Sequence, residues 1–164
     1  MATRTILEDD NPRLRKASKP VKKVNQHIID LLDDMAQTLY AARGVGLAAP
    51  QVGALRRVVV IDVGDGLIEL INPEIISEEG QQRVEEGCLS VPGVDGYVIR
   101  PAKIKVRAMD RNGDMKEYEG EELLARAFAH EIDHLDGVLF TDKMVERVYH
   151  DEEDHEGEQP HDGL

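Results

Sequence analysis

The sequence of 164 residues has no tryptophan, two phenylalanines and a single cysteine. One cysteine excludes an internal disulfide and makes the cytosol the expected compartment. No apolar run approaches the ~18 residues that would span a bilayer. The opening MATRTILEDDNP has no apolar stretch of the secretory kind, so neither a membrane span nor an export signal is expected. Positive charge is also short: 20 Lys and Arg stand against 33 Asp and Glu, a net charge of −13. Such a chain offers nothing to a phosphate backbone, which argues against nucleic acid as a direct substrate. With 41% hydrophobic residues the composition is nonetheless that of a globular protein, able to bury roughly 70% of its unfolded surface in one domain.

Basic residues disappear altogether at the C-terminal end. Residues 150–164 hold seven acids (Asp151, Glu152, Glu153, Asp154, Glu156, Glu158 and Asp162) and no Lys or Arg. Taking those seven from 33 leaves 26 acids against 20 bases, or −6, for residues 1–149. Leu164 is the only apolar residue of that stretch, so a domain over 1–148 followed by a solvated, flexible acidic tail over 149–164 is expected. His150, His155 and His161 are irregularly spaced within it and are read as part of the tail rather than as a metal site.

The body reads as α+β. Asp10 or Asn11, followed by Pro12, suits an N-cap and first position of a short turn. From Asn25, apolar residues at Ile28, Leu31, Leu32, Met35 and Leu39 mark one face of a helix, with Gly44 as its expected stop. Residues 57–71 read as two strands about a Gly- and Asp-rich turn at 63–66, and residues 104–119 as a hairpin turning at Asn112-Gly113. A helix is expected from about Glu121 to Leu135, stopped by Gly137. Antiparallel sheets and hairpins would then pack around this central helix and a second, N-terminal one.

The central helix is unusual in what its apolar face carries. At about 100° per residue, His130 and His134 fall within about 20° of Leu123, and Glu131 at about 80°, inside the arc of Ala127, Leu124, Leu135 and Phe128. Arg126 and Asp133 fall on the opposite, outward arc with Ala125 and Ala129, and Ile132 is out of pattern. Burying three unpaired ionisable groups would cost several kcal/mol, so something must compensate. Two histidines one turn apart can grip a single cation, with the adjacent glutamate close to it: the HExxH arrangement, here HEIDH at 130–134. The alternative is a pair of hydrogen-bonded core histidines and a salt-bridging glutamate.

Catalytic zinc sites commonly use three protein ligands. In HEIDHLDGVLF, Phe140 stands where one peptidase class places its third histidine, and the remaining candidate is Cys88, in EEGCLSVPG. A lone cysteine is often a small buried hydrophobe; as a thiolate it would complete a Cys-His-His set with one open position, suited to iron(II) or zinc. In GVGLAAPQVG (44–53), Gln51 is either an ordinary loop residue or a neutral donor for an oxyanion.

GVGLAAPQ at 44–51, EGCLS at 86–90 and HEIDH at 130–134, in this order, resemble the peptide deformylase family over roughly residues 1–148. The resemblance implies a bacterial, cytoplasmic metallohydrolase of protein biosynthesis that removes the N-formyl group from formyl-methionine of nascent peptides. It implies Cys88, His130 and His134 as metal ligands, Glu131 as acid/base, and Gln51 with the Leu89 N–H as oxyanion donors. Gly44, Val45 and Gly46 correspond to backbone that pairs with the extended substrate, and Leu123 and Ala127 to part of the methionine pocket. Fe(II) is the implied cellular metal, with Zn, Ni or Co as alternatives. Glu86 and Arg100 are expected to form an ion pair bracing the Cys88 strand, and Asp133 to be scaffold. Transient ribosome association is implied, although an acidic tail replaces the basic helix some relatives use for docking. An HExxH peptidase and a non-catalytic binder of metal or formylated termini are the competing readings.

Overall fold

Val58, Val59, Val60 and Ile61 are four apolar residues in a row, and all four are fully buried. Successive side chains of a strand point to opposite faces, so a strand with no polar side needs a packed layer on each. The computed structural model, which describes residues 2–149, has those layers. The chain runs α1 (Gln26–Ala41), β1 (Gly46–Ala48), β2 (Val58–Ile61), β3 (Ile68–Glu79), β4 (Gln82–Cys88) and β5 (Val91–Arg100). It continues through β6 (Lys103–Met109), β7 (Met115–Glu121), α2 (Glu122–Leu135), the one-turn α3 (Phe140–Lys143) and β8 (Glu146–Val148). Strands β1-β2-β3-β6-β7 form one antiparallel sheet and β4-β5-β8 a second. The acidic segment 150–164 and its three histidines lie outside the described residues.

Val59 and Ile61 join Ile104 and Val106 against α2, while Val58 and Val60 pack on the Ile28–Leu39 stripe of α1. A smaller core holds Val91 and Val98 of the second sheet against Leu14, Leu139 and Phe140, with Cys88 at its edge. Helix α2 is covered on more than one side, which corrects the expected outward arc: Ala125, Ala129 and Ile132 are buried in the core shared with the large sheet, and Arg126 is buried toward the second. Arg126 Nη1 donates to the Glu85 carbonyl at 2.8 Å. No helix among the described residues is long and apolar enough to cross a membrane.

Helix ends follow their capping residues, with one displacement. Asn11 and Asn25 accept from the Arg13 and Ile28 N–H groups. The expected stop at Gly44 is one residue late: Arg43 takes the left-handed conformation (φ 57°), and the Arg43 and Gly44 N–H groups close onto the Tyr40 and Leu39 carbonyls. At α2 the left-handed residue is Gly137 (φ 76°), and the same two bonds run from Gly137 and Val138 to His134 and Asp133.

The hairpins also depart in detail. The first pairs Val58 with Ile71 and Ile61 with Ile68 as expected, but β3 runs on to Glu79 to pair with β6. In the second, pairing ends at Met109–Met115, so the connection is residues 110–114 rather than a two-residue Asn-Gly turn. Asp110 closes it, its Oδ1 accepting from the Asn112 and Asp114 N–H groups at 2.9 and 3.1 Å. Residues 85–93, which hold Cys88, are the end of β4, a tight turn at Leu89-Ser90 and the start of β5. Glu86 pairs with Gly96 but Cys88 with Val91, so residues 92–95 bow out opposite Gly87. Irregularities of this kind re-aim side chains beside functional sites.

Candidate metal centre and active site

Cys88 ends β4, and His130 and His134 sit one turn apart on α2. Folding brings their ligand atoms within 4.8 Å of one another, all three residues buried. Cys88 Sγ lies 3.4 Å from His134 Nε2. His130 Nδ1 is 2.8 Å from Glu86 Oε1, which makes Nδ1 the protonated nitrogen and turns the Nε2 lone pair inward. That Nε2 is buried without a hydrogen-bond partner, as are both oxygens of Glu131. Orphaned buried polar atoms are rare and call for an explanation. A carboxylate-held histidine whose other nitrogen faces a thiol and a second imidazole is the donor arrangement a divalent ion takes, so these residues fit one.

A buried charged frame holds the site in place. Arg100 grips Glu86 through two bonds, Nε–Oε2 at 2.9 Å and Nη2–Oε1 at 3.0 Å, and donates through Nη1 to Asp133 at 2.8 Å. The expected Glu86–Arg100 pair is thus present, and Asp133, also 3.0 Å from Lys143 Nζ, extends it behind the helix. Burial works against the Glu86 carboxylate, but His130 and Arg100 outweigh it and hold its pKa down at about 2. Burial, with the neighbouring Glu131 charge, pushes the Cys88 thiol up, opposed by the Ser90 and Val91 N–H groups at the sulfur. Glu131 is raised well above the carboxylate range by burial and the nearby Glu86 charge, and His134 is lowered by burial and by His130. A divalent charge among these groups reverses the thiol and carboxyl shifts.

Gln51 arrives from the 3-10 turn Ala49–Val52. Its Oε1 accepts from the Ala48 N–H at 2.9 Å, and its Nε2 lies 3.0 Å from Ser90 Oγ and 3.7 Å from Cys88 Sγ. Leu89 follows Cys88 in the turn and, with Pro92 and Val94, lines a cavity of about 250 Å³ beside the sulfur. Gly46 lies against the Glu131 carboxylate so closely that an added Cβ would fall 2.6 Å from Oε2. Strand β1 pairs only with β2 among the described residues, leaving its other edge able to accept an extended chain. Gly44 and Val45 lead into that strand; with Leu123, half-buried, and Ala127, fully buried, they do not line the cavity beside Cys88. Two contacts were not legible in the sequence: Glu86 on His130, and Ser90 on Gln51. The only signal for the second is a small polar residue in the EGCLS turn itself.

A thiol and two imidazoles around one point, with a partnerless glutamate on the same helix, define a mononuclear metallohydrolase centre. Known proteins agree. The polypeptide deformylase family matches residues 3–149. Peptide deformylase of Caldanaerobacter subterraneus subsp. tengcongensis is 61% identical over 157 residues, covering 96% of this chain and 98% of that protein. The crystal structure of a peptide deformylase from Legionella pneumophila superposes with a TM-score of 0.85 at 48% identity, covering 87% of this chain and 86% of the other. That from Thermotoga maritima gives 0.85 at 41% identity, covering 88% and 99%. The chain belongs to the polypeptide deformylase family. It is a metal-dependent hydrolase that removes the N-formyl group from the formyl-methionine of newly made proteins and releases formate.

Proposed function

We propose that Cys88, His130 and His134 hold one divalent ion, Fe(II) in the cell, with Zn, Ni or Co accepted by the same donors. The observation carrying this is the convergence of three buried ligand atoms with His130 Nε2 left without a partner. When bound, the ion supplies Lewis acidity and a water of lowered pKa. Glu131 takes the proton of the attacking water and passes it to the departing amine. The Gln51 amide and the Leu89 N–H hold the oxyanion that forms as the formyl carbon becomes tetrahedral.

The extended peptide pairs with backbone at Gly44, Val45 and Gly46 along the free edge of β1, and Leu123 and Ala127 form part of the methionine pocket. The substrates are formylmethionyl nascent chains in a bacterial cytoplasm, met during transient association with the ribosome, and residues 1–148 form the catalytic domain. The test is metal content together with formate release from formyl-Met-Ala-Ser, on protein prepared without oxygen. One ion per chain and stoichiometric formate are expected. Cleavage of the unformylated peptide instead would turn the reading to an HExxH peptidase, and metal binding without formate to a non-catalytic binder.

A further inference from the structure

We propose that Ser90 is a positioning residue for deformylation: its hydroxyl fixes the Gln51 amide in the one orientation that presents an N–H to the formyl oxyanion. This rests on the reading of Gln51 as an oxyanion donor. Ser90 and Gln51 are both fully buried, so no solvent stands in for either partner. A carboxamide can sit two ways round, and here the backbone decides. The Ala48 N–H only donates, so the atom 2.9 Å away must be the amide oxygen. Nε2 then faces Ser90 Oγ at 3.0 Å and gives it one of its two hydrogens.

The amide is planar, so the second hydrogen is held about 120° from the first, on the side where Cys88 Sγ lies 3.7 Å from Nε2. Without Ser90 the amide would keep only the Ala48 bond and the long 3.7 Å contact to Cys88 Sγ, and could swing about its oxygen. The Ser90 bond removes that freedom before substrate arrives, which is what makes an oxyanion donor effective. Ser90 sits in the same turn as Leu89, the other donor, and its own N–H faces the Cys88 sulfur. A single turn therefore sets the ligand sulfur and both oxyanion donors in mutual register.

The test is a double-mutant cycle on the zinc-loaded protein, reading kcat and KM for formyl-Met-Ala-Ser and metal per chain. Gln51→Ala is expected to lower kcat roughly 10²-fold. Ser90→Ala is expected to lower it about tenfold with KM and metal content within about twofold, yet less than about twofold once Gln51 is alanine. An independent readout is hydrogen exchange of the Gln51 side-chain amide by ¹⁵N NMR, its signal assigned by its loss in Gln51→Ala. Ser90→Ala should speed that exchange at least about tenfold by removing the bond that protects it.

Ser90→Gly removes the same oxygen with less volume and serves if the alanine variant does not fold. A kcat unaffected by Gln51→Ala overturns the oxyanion reading and this inference with it. A large fall on Gln51→Ala with kcat and amide exchange unmoved by Ser90→Ala, or equal losses in both backgrounds, overturns this inference alone.

Discussion

Replacing Gly46 by alanine tests how tightly the site is built. Gly46 does not adopt a left-handed conformation, so alanine meets no backbone penalty, and its effect comes from contact alone. The added Cβ would lie 2.6 Å from Glu131 Oε2, 2.8 Å from Cγ and 2.9 Å from Cδ. Ordinary contact begins near 3.4 Å, so the carboxylate must retreat by about 0.8 Å. Because Cγ is crowded as well as the terminal oxygen, rotating the carboxylate does not relieve the clash. Glu131 is fully buried and has no solvent to move into. A displacement of about 1 Å at a reacting group can cost about 10²-fold in rate, and overpacking a core costs about 1–3 kcal/mol. Gly46→Ala should therefore lower kcat by about 30- to 100-fold in the formate-release assay, with unchanged metal content and a melting temperature several degrees lower. A kcat within about threefold of wild type would refute the reasoning. A change confined to KM would do the same, because it would leave Gly46 only the role of substrate-pairing backbone.

Glu131→Gln keeps the size of the side chain but cannot take a proton; turnover should fall by roughly 10²–10⁴ while metal per chain, measured by elemental analysis, stays constant. Cys88→Ala removes one of the three proposed ligands, and metal per chain should drop steeply on dialysis; full retention would point to another third donor. Arg100→Ala strands the Glu86 carboxylate in the interior and should destabilise the protein by about 3–5 kcal/mol in denaturant unfolding. Acid should act through the same pair. The folded pKa of Glu86, about 2, lies below its ordinary 4.5, so its stabilisation is present above pH 4.5 and is lost as pH falls toward 2. The difference amounts to about 3 kcal/mol and should appear as a decline in melting temperature over that window, shallower in Arg100→Ala.

The chemistry was more legible in the sequence than the architecture around it. Periodicity alone put His130, Glu131 and His134 on the buried side of a helix, because three polar residues in an apolar arc are conspicuous. The same wheel placed Ala125, Ala129 and Ile132 outward, yet they are buried in the core shared with the large sheet, while Arg126 meets the Glu85 carbonyl of the small one: one helix cannot reveal that it will be covered on more than one side. Capping signals were reliable at Asn11 and Gly137, each a local matter of one side chain or one φ angle. At Gly44 the glycine distracted from Arg43, which shows that a left-handed stop tolerates other residues when its two closing bonds form. The β4–β5 hairpin was hidden because its pairing slips between Glu86 and Cys88, breaking the alternation by which a strand is recognised. Ser90 was missed for a related reason, since its partner Gln51 lies 39 positions away.

The three proposed ligand atoms are unequally shared between two bodies. The sulfur belongs to the small sheet, and both imidazoles to the helix seated on the large one. An ion held by all three is therefore a clasp across a seam, and its binding free energy is added to the docking of one sheet against the other. Loading should slow amide exchange most in β4, β5 and β8, far beyond the few residues that touch the ion. Chelation should loosen that flank first, while the layers on either side of Val58–Ile61 stay shut.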